Sequence, residues 1–356
     1  MKEFEDNEEF IESEEQEQSE LYEHISITAD AGQTLIRIDK FLANRISNAS
    51  RTKIQNALEA ENIIVNSKVV KANYKVKPFD VISVVLTYPP RETEIVPENI
   101  PLDIVYEDDD VLLVNKKPGM VVHPGYGNFS GTLVNALMWH FKDLPLFKSG
   151  DQRPGLVHRI DKNTSGILLI AKNEIAQYKL AKQFFDRTID RRYVALVWGD
   201  LPESGTITGH IGRSLQNRKK MNVFADGAHG KHAVTHYTVI ERFGYINLVE
   251  CKLETGRTHQ IRAHFEYIKH PLFGDAEYSG NKICYGTTFT KYKQFVDNCF
   301  TILPRQALHA KSLRFIHPTS GKEVFIDSEL PSDMLQVITK WRNYLMGRDL
   351  SLEPEN

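Results

Sequence analysis

The run GLVHRIDKNTSGILLIAKN, residues 155–173, sets one carboxylate, Asp161, between Arg159 and Lys162 and then enters five apolar residues, ILLIA at 167–171. A lone carboxylate among cations can attack an electrophilic carbon or accept a proton; it can equally cap a turn or pair with Arg159 on the surface. Two further segments offer complementary groups. RRYVALVWG carries Tyr193, which can face a cleft as readily as a core, and LETGRTHQIRAHF carries Arg262, whose planar fork can hold a carboxylate bidentately.

The elements that must position these groups follow from pattern. ILLIA, bounded by Gly166 and by Lys172-Asn173, reads as a short buried strand. The tetrad His158-Arg159-Ile160-Asp161 then lies at or just before its start, on a loop held by Gly155 and Ser165-Gly166, and reacting groups tend to sit on loops of a rigid scaffold. Alternation puts Tyr193, Ala195 and Val197 on one face of a strand and Val194, Leu196 and Trp198 on the other. Thr258 is placed to cap a helix whose Ile261 and Phe265 face inward while Arg262 projects elsewhere.

At 356 residues and 41% hydrophobic content the chain predicts two folded units, one large and one small. Cys251, Cys284 and Cys299 form no CxxC pair, which argues against a disulfide framework or a cysteine-built zinc site. There is no apolar leader and no run of about 18 apolar residues, so a soluble cytoplasmic protein without membrane association is expected. Gly125, Gly127 and Gly131 are too irregular for a dinucleotide fingerprint, no Walker pattern occurs, and no cofactor is expected.

The net charge of -3 hides a strong asymmetry. Residues 1–24 hold 11 acidic residues and one lysine, and the remainder has 43 basic against 36 acidic residues. The first 24 residues read as an acidic disordered tail, since they offer too little apolar surface to offset ordering entropy. Residues 25–90 then read as a compact basic module, with helical spacing at Ile38, Phe41, Leu42 and Ile46, a second helix through Ile54 and Leu58, and short strands around an Asn66-Ser67 turn. Four prolines in residues 87–101 place a linker at 91–101, and the main domain is expected over 102–345, with a tail at 346–356.

RIDKFLANR, SRTKIQNAL and IIVNSKVVKANYKVKPFDVISV resemble the S4 RNA-binding domain, with a basic face carried by Arg37, Lys40, Arg45, Arg51 and Lys53. Asn62, Ser67 and Phe79 stand where that family usually has glycine. The segments NKKPGMVVHPGYGNFSGTLVNAL, GLVHRIDKNTSGILLIAKN, RRYVALVWG, RKKMNV, LETGRTHQIRAHF, HPLFGDAEYSG and RQALHAKSLRFIHPTSGKEVFIDSELPSDM resemble, in order and spacing, the RluA family of RNA pseudouridine synthases, most closely its RluD type, which acts on large-subunit ribosomal RNA. Ile160 stands for the usual Leu, Ser214 for a usual His and Lys269 for the Gly before His270-Pro271.

The resemblance implies an α+β catalytic domain around a mixed, largely antiparallel sheet with an RNA cleft, preceded by a small S4-like α/β RNA-binding domain. It implies an isomerase that needs no cofactor or metal, with RNA, as ribosomal RNA or a pre-ribosomal particle, as partner, and a monomer. Asp161 is then the reacting carboxylate, either nucleophile at C1′ or base at C2′ of the ribose, with Arg262 keeping it ionised, since an opposite charge offsets desolvation. Tyr193 stacks on the uracil and helps remove the C5 proton, and Arg159 fills the place of the extruded base. Arg192, Lys116 and Lys117 are phosphate candidates. A non-catalytic ribosome-assembly protein is the alternative, and it would not require Asp161, Tyr193 and Arg262 together. A metal hydrolase finds little support, because neither His229, His232 and His236 nor His259 and His264 have convergent ligand spacing.

Overall fold

The computed structural model describes residues 22–46, 50–86, 95–125, 128–148, 153–214, 216–217 and 220–350, with the backbone alone at 22–24, 53, 86 and 348–350. The chain divides into two compact units, the first to Thr93 and the second from Glu94. The expected acidic tail up to residue 21, linker residues 91–94 and residues 351–356 lie outside the described residues.

In the first unit, strand β1 (Tyr22–Thr28) precedes β2 (Ile36–Arg37), helices α1 (Ile38–Arg45) and α2 (Arg51–Glu59), and strands β3 (Ile63–Val65), β4 (Lys68–Val69), β5 (Lys75–Val76) and β6 (Val81–Leu86). Residues 22–24, expected in the tail, are therefore strand, because β1 pairs antiparallel with β6 along its length. The four-stranded sheet runs β1-β6-β3-β4, and β2 pairs with β5. Ile38, Phe41 and Leu42 of α1 and Ile54 and Leu58 of α2 pack on Ile63, Val65 and Ile82, as helical spacing in the sequence predicts. Asn66 and Ser67 both have positive φ, 48° and 65°, the backbone of a tight two-residue hairpin turn.

The second unit is built on β7 (Ile104–Glu107), β8 (Val111–Lys116), α3 (Leu133–His140), α4 (Pro145–Lys148), β9 (Ser165–Ala171), α5 (Glu174–Phe185), β10 (Asp190–Trp198), β11 (Ser204–Arg213), β12 (Met221–Phe224), β13 (Lys231–Arg242), β14 (Ile246–Leu253), α6 (Gln260–Tyr267), α7 (Thr290–Ile302), β15 (Leu308–Ile316), β16 (Glu323–Asp327) and α8 (Ser332–Leu350). Helix α8 covers residues 346–350, which the sequence reading assigns to a tail. One mixed sheet runs β12-β11-β13-β14-β10-β15-β9-β8-β7, with β16 alongside β15; β9 and β15 are parallel and the other pairings antiparallel.

Both faces of this sheet are covered, and the alternation read along β10 separates them. Tyr193, Ala195 and Val197 pack with Leu133 and Leu137 of α3 and with Ile261 and Phe265 of α6. Val194, Leu196 and Trp198 pack with Val296 of α7 and with Val337 and Trp341 of α8. Every residue of β9 is buried, which explains its unbroken apolar run. Gly166, the second residue of that strand, has φ +114°, and an added Cβ there would lie 2.2 Å from the Ala310 carbonyl oxygen of β15; only glycine allows so close an approach.

Candidate active site

The loop before β9, the first residues of β10 and the segment entering α6 enclose a cleft of about 450 Å³ lined by Arg159, Asp161, Tyr193, His259 and Arg262 among others. Four residues singled out from sequence segments far apart, Arg159, Asp161, Tyr193 and Arg262, thus share one cavity. His158 and Ile160 tether the loop. Nε2 of His158 accepts from the Leu169 N–H of β9 at 2.9 Å while its ring stacks on Phe184, and Ile160 enters the core. Arg159 between them is exposed to the cleft.

Arg262 is 4% exposed and makes charged contacts on all sides. Its Nη1 donates to Asp161 at 3.3 Å, Nε and Nη2 donate to Asp275 at 2.7 and 2.9 Å, and Nη2 also reaches Glu277 at 2.6 Å. The bidentate partner is therefore Asp275, and Asp161 receives a single bond. Burial disfavours charge on Arg262, yet hydrogen bonding and attraction to Asp275, with Asp161 and Glu277 adding to it, more than offset this and hold the guanidinium above its ordinary pKa. The Tyr278 ring stacks under the guanidinium at 4.7 Å.

His259 completes the cluster, with Nε2 3.8 Å from Asp161 and Nδ1 3.0 Å from the Tyr278 hydroxyl; burial pushes its pKa down. It also precedes α6 at φ 53°, so Thr258 is not the helix cap predicted from sequence. The Gln260 side chain organises this turn instead, accepting from the Arg257 N–H at 3.0 Å and from the Thr255 hydroxyl at 2.7 Å. Tyr193 is 7% exposed, and burial raises its phenol, which stays protonated. Arg191 reaches the same cleft, lying 5.4 Å over Phe184 with a buried Nε that has no partner among the described residues.

Several side chains that sequence reasoning missed hold the Asp161 loop. Arg305 pairs with Asp333 of α8 through Nε and Nη2 and donates through Nη1 to the Asn163 carbonyl at 3.0 Å. Gln306 donates to the Thr164 hydroxyl at 3.3 Å. Asp275, Arg305 and His259 all stand in segments quoted for their motifs, but no periodicity distinguishes them, because their partners lie on other elements.

The phosphate candidates separate. Lys117 is exposed, but Lys116 is 2% exposed and its ammonium donates to the carbonyls of Lys117, Met120 and Lys162 at 2.8, 2.9 and 3.0 Å, so it is a tether for the Asp161 loop rather than a phosphate contact. Arg192 is held between Asp190 and Glu250, at 3.0 and 2.8 Å, and is not a free cation. In the first unit Arg37, Lys40, Arg45 and Arg51 are exposed, while the Lys53 side chain lies outside the described residues. Arg37 and Arg51 bond the buried Asp39 at 3.1 and 2.9 Å, and Arg45 pairs with Asp30. Among the described residues one group, Asp108, Asp110 and His317, lies outside the cleft and is close enough to hold a metal ion, but His317 donates through Nε2 to Asp108 and accepts at Nδ1 from the Thr319 and Ser320 N–H groups, which uses both ring nitrogens.

Comparison with known proteins agrees with this geometry. The family described as RNA pseudouridylate synthase matches residues 110–267, and the S4 domain matches residues 36–82. An uncharacterized RNA pseudouridine synthase of Chlorobaculum parvum is 46% identical over 316 residues, 88% of this chain and 96% of that protein. Ribosomal large subunit pseudouridine synthase D of Zymomonas mobilis is 43% identical over 302 residues, 84% of this chain and 91% of that protein. The solved structure of human RNA pseudouridylate synthase domain containing 4 covers 67% of this chain and 92% of its own at 22% identity and a TM-score of 0.51, a likeness of fold. With a carboxylate, an arginine and a tyrosine gathered in one cleft of that fold and relatives this similar over most of their length, the chain belongs to the RNA pseudouridine synthase family, isomerases that convert uridine in RNA to pseudouridine.

Proposed function

We propose that this protein isomerises specific uridines of large-subunit ribosomal RNA, with Asp161 as the reacting carboxylate. The observation that carries the reading is the Asp161–Arg262 contact at 3.3 Å inside a cleft that also presents Tyr193 and Arg159. The reaction breaks the C1′–N1 bond, turns the freed uracil and forms a C1′–C5 bond; the C5 proton leaves and N1 gains one, so nothing is oxidised or reduced. Asp161 acts on the ribose, at C1′ as nucleophile or at the C2′ proton as base. Arg262, fixed by Asp275, stabilises the carboxylate in a site that RNA closes to water.

Tyr193, a neutral phenol on the core side of β10, offers its ring to the uracil, and Arg159 takes the place of the extruded base in the stack. The target class is supported by relatives from Zymomonas, Nitrosomonas and Neisseria named ribosomal large subunit pseudouridine synthase D, 39–43% identical over most of this chain. Among the described residues Lys40 and Lys117 are in no ion pair and can contact phosphate, and Arg37, Arg45 and Arg51 can do so while keeping their carboxylate partners. Mapping pseudouridines in ribosomal RNA from cells with and without the protein tests the assignment: sites lost from large-subunit RNA support it, and an unchanged map overturns it.

A further inference from the structure

Helix α6 forms a wall of the catalytic cleft with its first turn, and with its last turn it lines a second pocket of about 530 Å³ together with the start of β12 and residues between Lys269 and Tyr285. Three lysines, Lys220, Lys269 and Lys282, reach this pocket against one carboxylate, Glu266. Lys220 is committed to Glu266 at 2.5 Å. Lys269 and Lys282 are exposed, and among the described residues neither is in an ion pair. Tyr267 is 44% exposed at the rim, and Tyr285 stacks parallel to His270 while its hydroxyl donates to the Lys269 carbonyl at 2.8 Å.

The backbone at Lys269 is unusual for a lysine. It follows the C-cap of α6, Ile268, at φ 69°, its N–H bonding the Glu266 carbonyl at 2.9 Å while the His270 N–H bonds the Phe265 carbonyl at 2.8 Å. Glycine takes this left-handed position without strain, and a lysine there keeps a cation at a conformational cost. The pocket is also joined to the catalytic cleft. The Tyr278 hydroxyl accepts from the Met221 N–H of β12 at 2.9 Å and contacts Nδ1 of His259 at 3.0 Å, so one side chain braces both sites.

We propose that this pocket binds the RNA strand beyond the target nucleotide, with Lys269 and Lys282 on phosphates and the Tyr267 face against an unpaired base. The inference rests on the RNA-substrate reading above. Unpaired ammonium groups beside accessible aromatic rings suit a single strand, in which phosphate and base alternate, and the pocket volume suits a nucleotide. An RNA held here extends the footprint past the flipped uridine and adds contacts through which flanking sequence or shape influences which uridine is chosen.

The test uses the full-length protein and the variant Lys269→Gly/Lys282→Gln, with Lys282→Gln alone as a second variant. Affinity for a large-subunit ribosomal RNA fragment is titrated against salt, thermal unfolding is recorded, and tritium release from C5-labelled uridine is assayed on the wild type. The double variant is expected to bind more weakly, with a salt slope reduced by roughly 0.7 for each lysine, and its thermal midpoint is not expected to fall, since glycine relieves the left-handed strain. Lys282→Gln alone is expected to give about half the change in slope. A wild type that releases tritium beside a double variant whose affinity and slope match it overturns the pocket assignment alone. A wild type that releases no tritium overturns the parent reading and this one with it.

Discussion

Asp275, rather than Asp161, holds the fork of Arg262: Nε and Nη2 close on its two oxygens at 2.7 and 2.9 Å, and both side chains are almost fully buried. The guanidinium is thereby fixed in orientation before any substrate arrives, and Nη1 is left to point at Asp161 from 3.3 Å. Asp161 contacts Arg262 through one bond without being locked into a bidentate pair, which suits the movement against a ribose proposed for its carboxylate.

Asp275→Asn is expected to lower stability by about 3 to 5 kcal/mol, because it leaves a buried guanidinium without its main counter-charge. Turnover falls as Arg262 loses its orientation. Urea unfolding measures the first effect and tritium release the second; a variant unfolding like wild type would separate the pair from the stability of the site.

Lys116→Met removes the donor shared by the carbonyls of Lys117, Met120 and Lys162, the last of which follows Asp161 directly. The Lys162 carbonyl keeps its bond from the Gly119 N–H, so the loss falls on the three bonds to the ammonium, about 1 kcal/mol each, and both the unfolding midpoint and turnover are expected to drop. Retention of wild-type values in both assays would remove Lys116 from the support of the loop.

Stability is expected to fall in acid between about pH 6.5 and 4. Burial holds His264 and His309 down at about 4, against an ordinary value of 6.5. Because the unfolded chain takes up protons at these positions before the folded one does, stability is complete above pH 6.5 and is lost as pH falls toward 4, by up to about 1.4 kcal/mol per pH unit for each histidine. His309→Gln should give a shallower profile of unfolding free energy against pH; an identical slope would exclude His309 as a contributor.

In the first unit, Lys40 and Asp39 are expected to behave oppositely. Burial would raise the Asp39 carboxyl, but hydrogen bonds from Arg37, Arg51 and Gln55 outweigh it and hold the group well below the ordinary carboxylate range. Asp39→Asn therefore destabilises the unit, whereas Lys40→Gln leaves unfolding unchanged and lowers the salt slope of RNA binding by roughly 0.7 to 0.9. Unfolding curves and salt titrations on both variants check the contrast.

Local pattern carried much of this architecture. The buried strand after HRID, the two faces of β10 and the helices of the basic module follow from period and composition, and the three main cleft residues were legible because motif segments carry them. The pairing of Arg262 with Asp275 was not, since a turn between α6 and α7 shows no periodicity that would direct Asp275 inward. Nor was the tether through Arg305, which joins Asn163 to Asp333 across a parallel β9–β15 contact between residues some 144 positions apart. Lys116 and Arg192 read as phosphate contacts because charge is visible in a sequence while its partners, three carbonyls or two carboxylates, are not.

The central claim is that Asp161 performs the chemistry, and Asp161→Asn tests it most directly. The amide is nearly isosteric, so folding and RNA affinity, which rests on phosphate contacts elsewhere, are expected to persist. It can neither attack C1′ nor accept the C2′ proton. Tritium release from C5-labelled uridine in large-subunit ribosomal RNA, measured beside a binding titration on the same preparation, is predicted to fall to background with binding retained; release by the Asn variant near the wild-type rate would contradict the account.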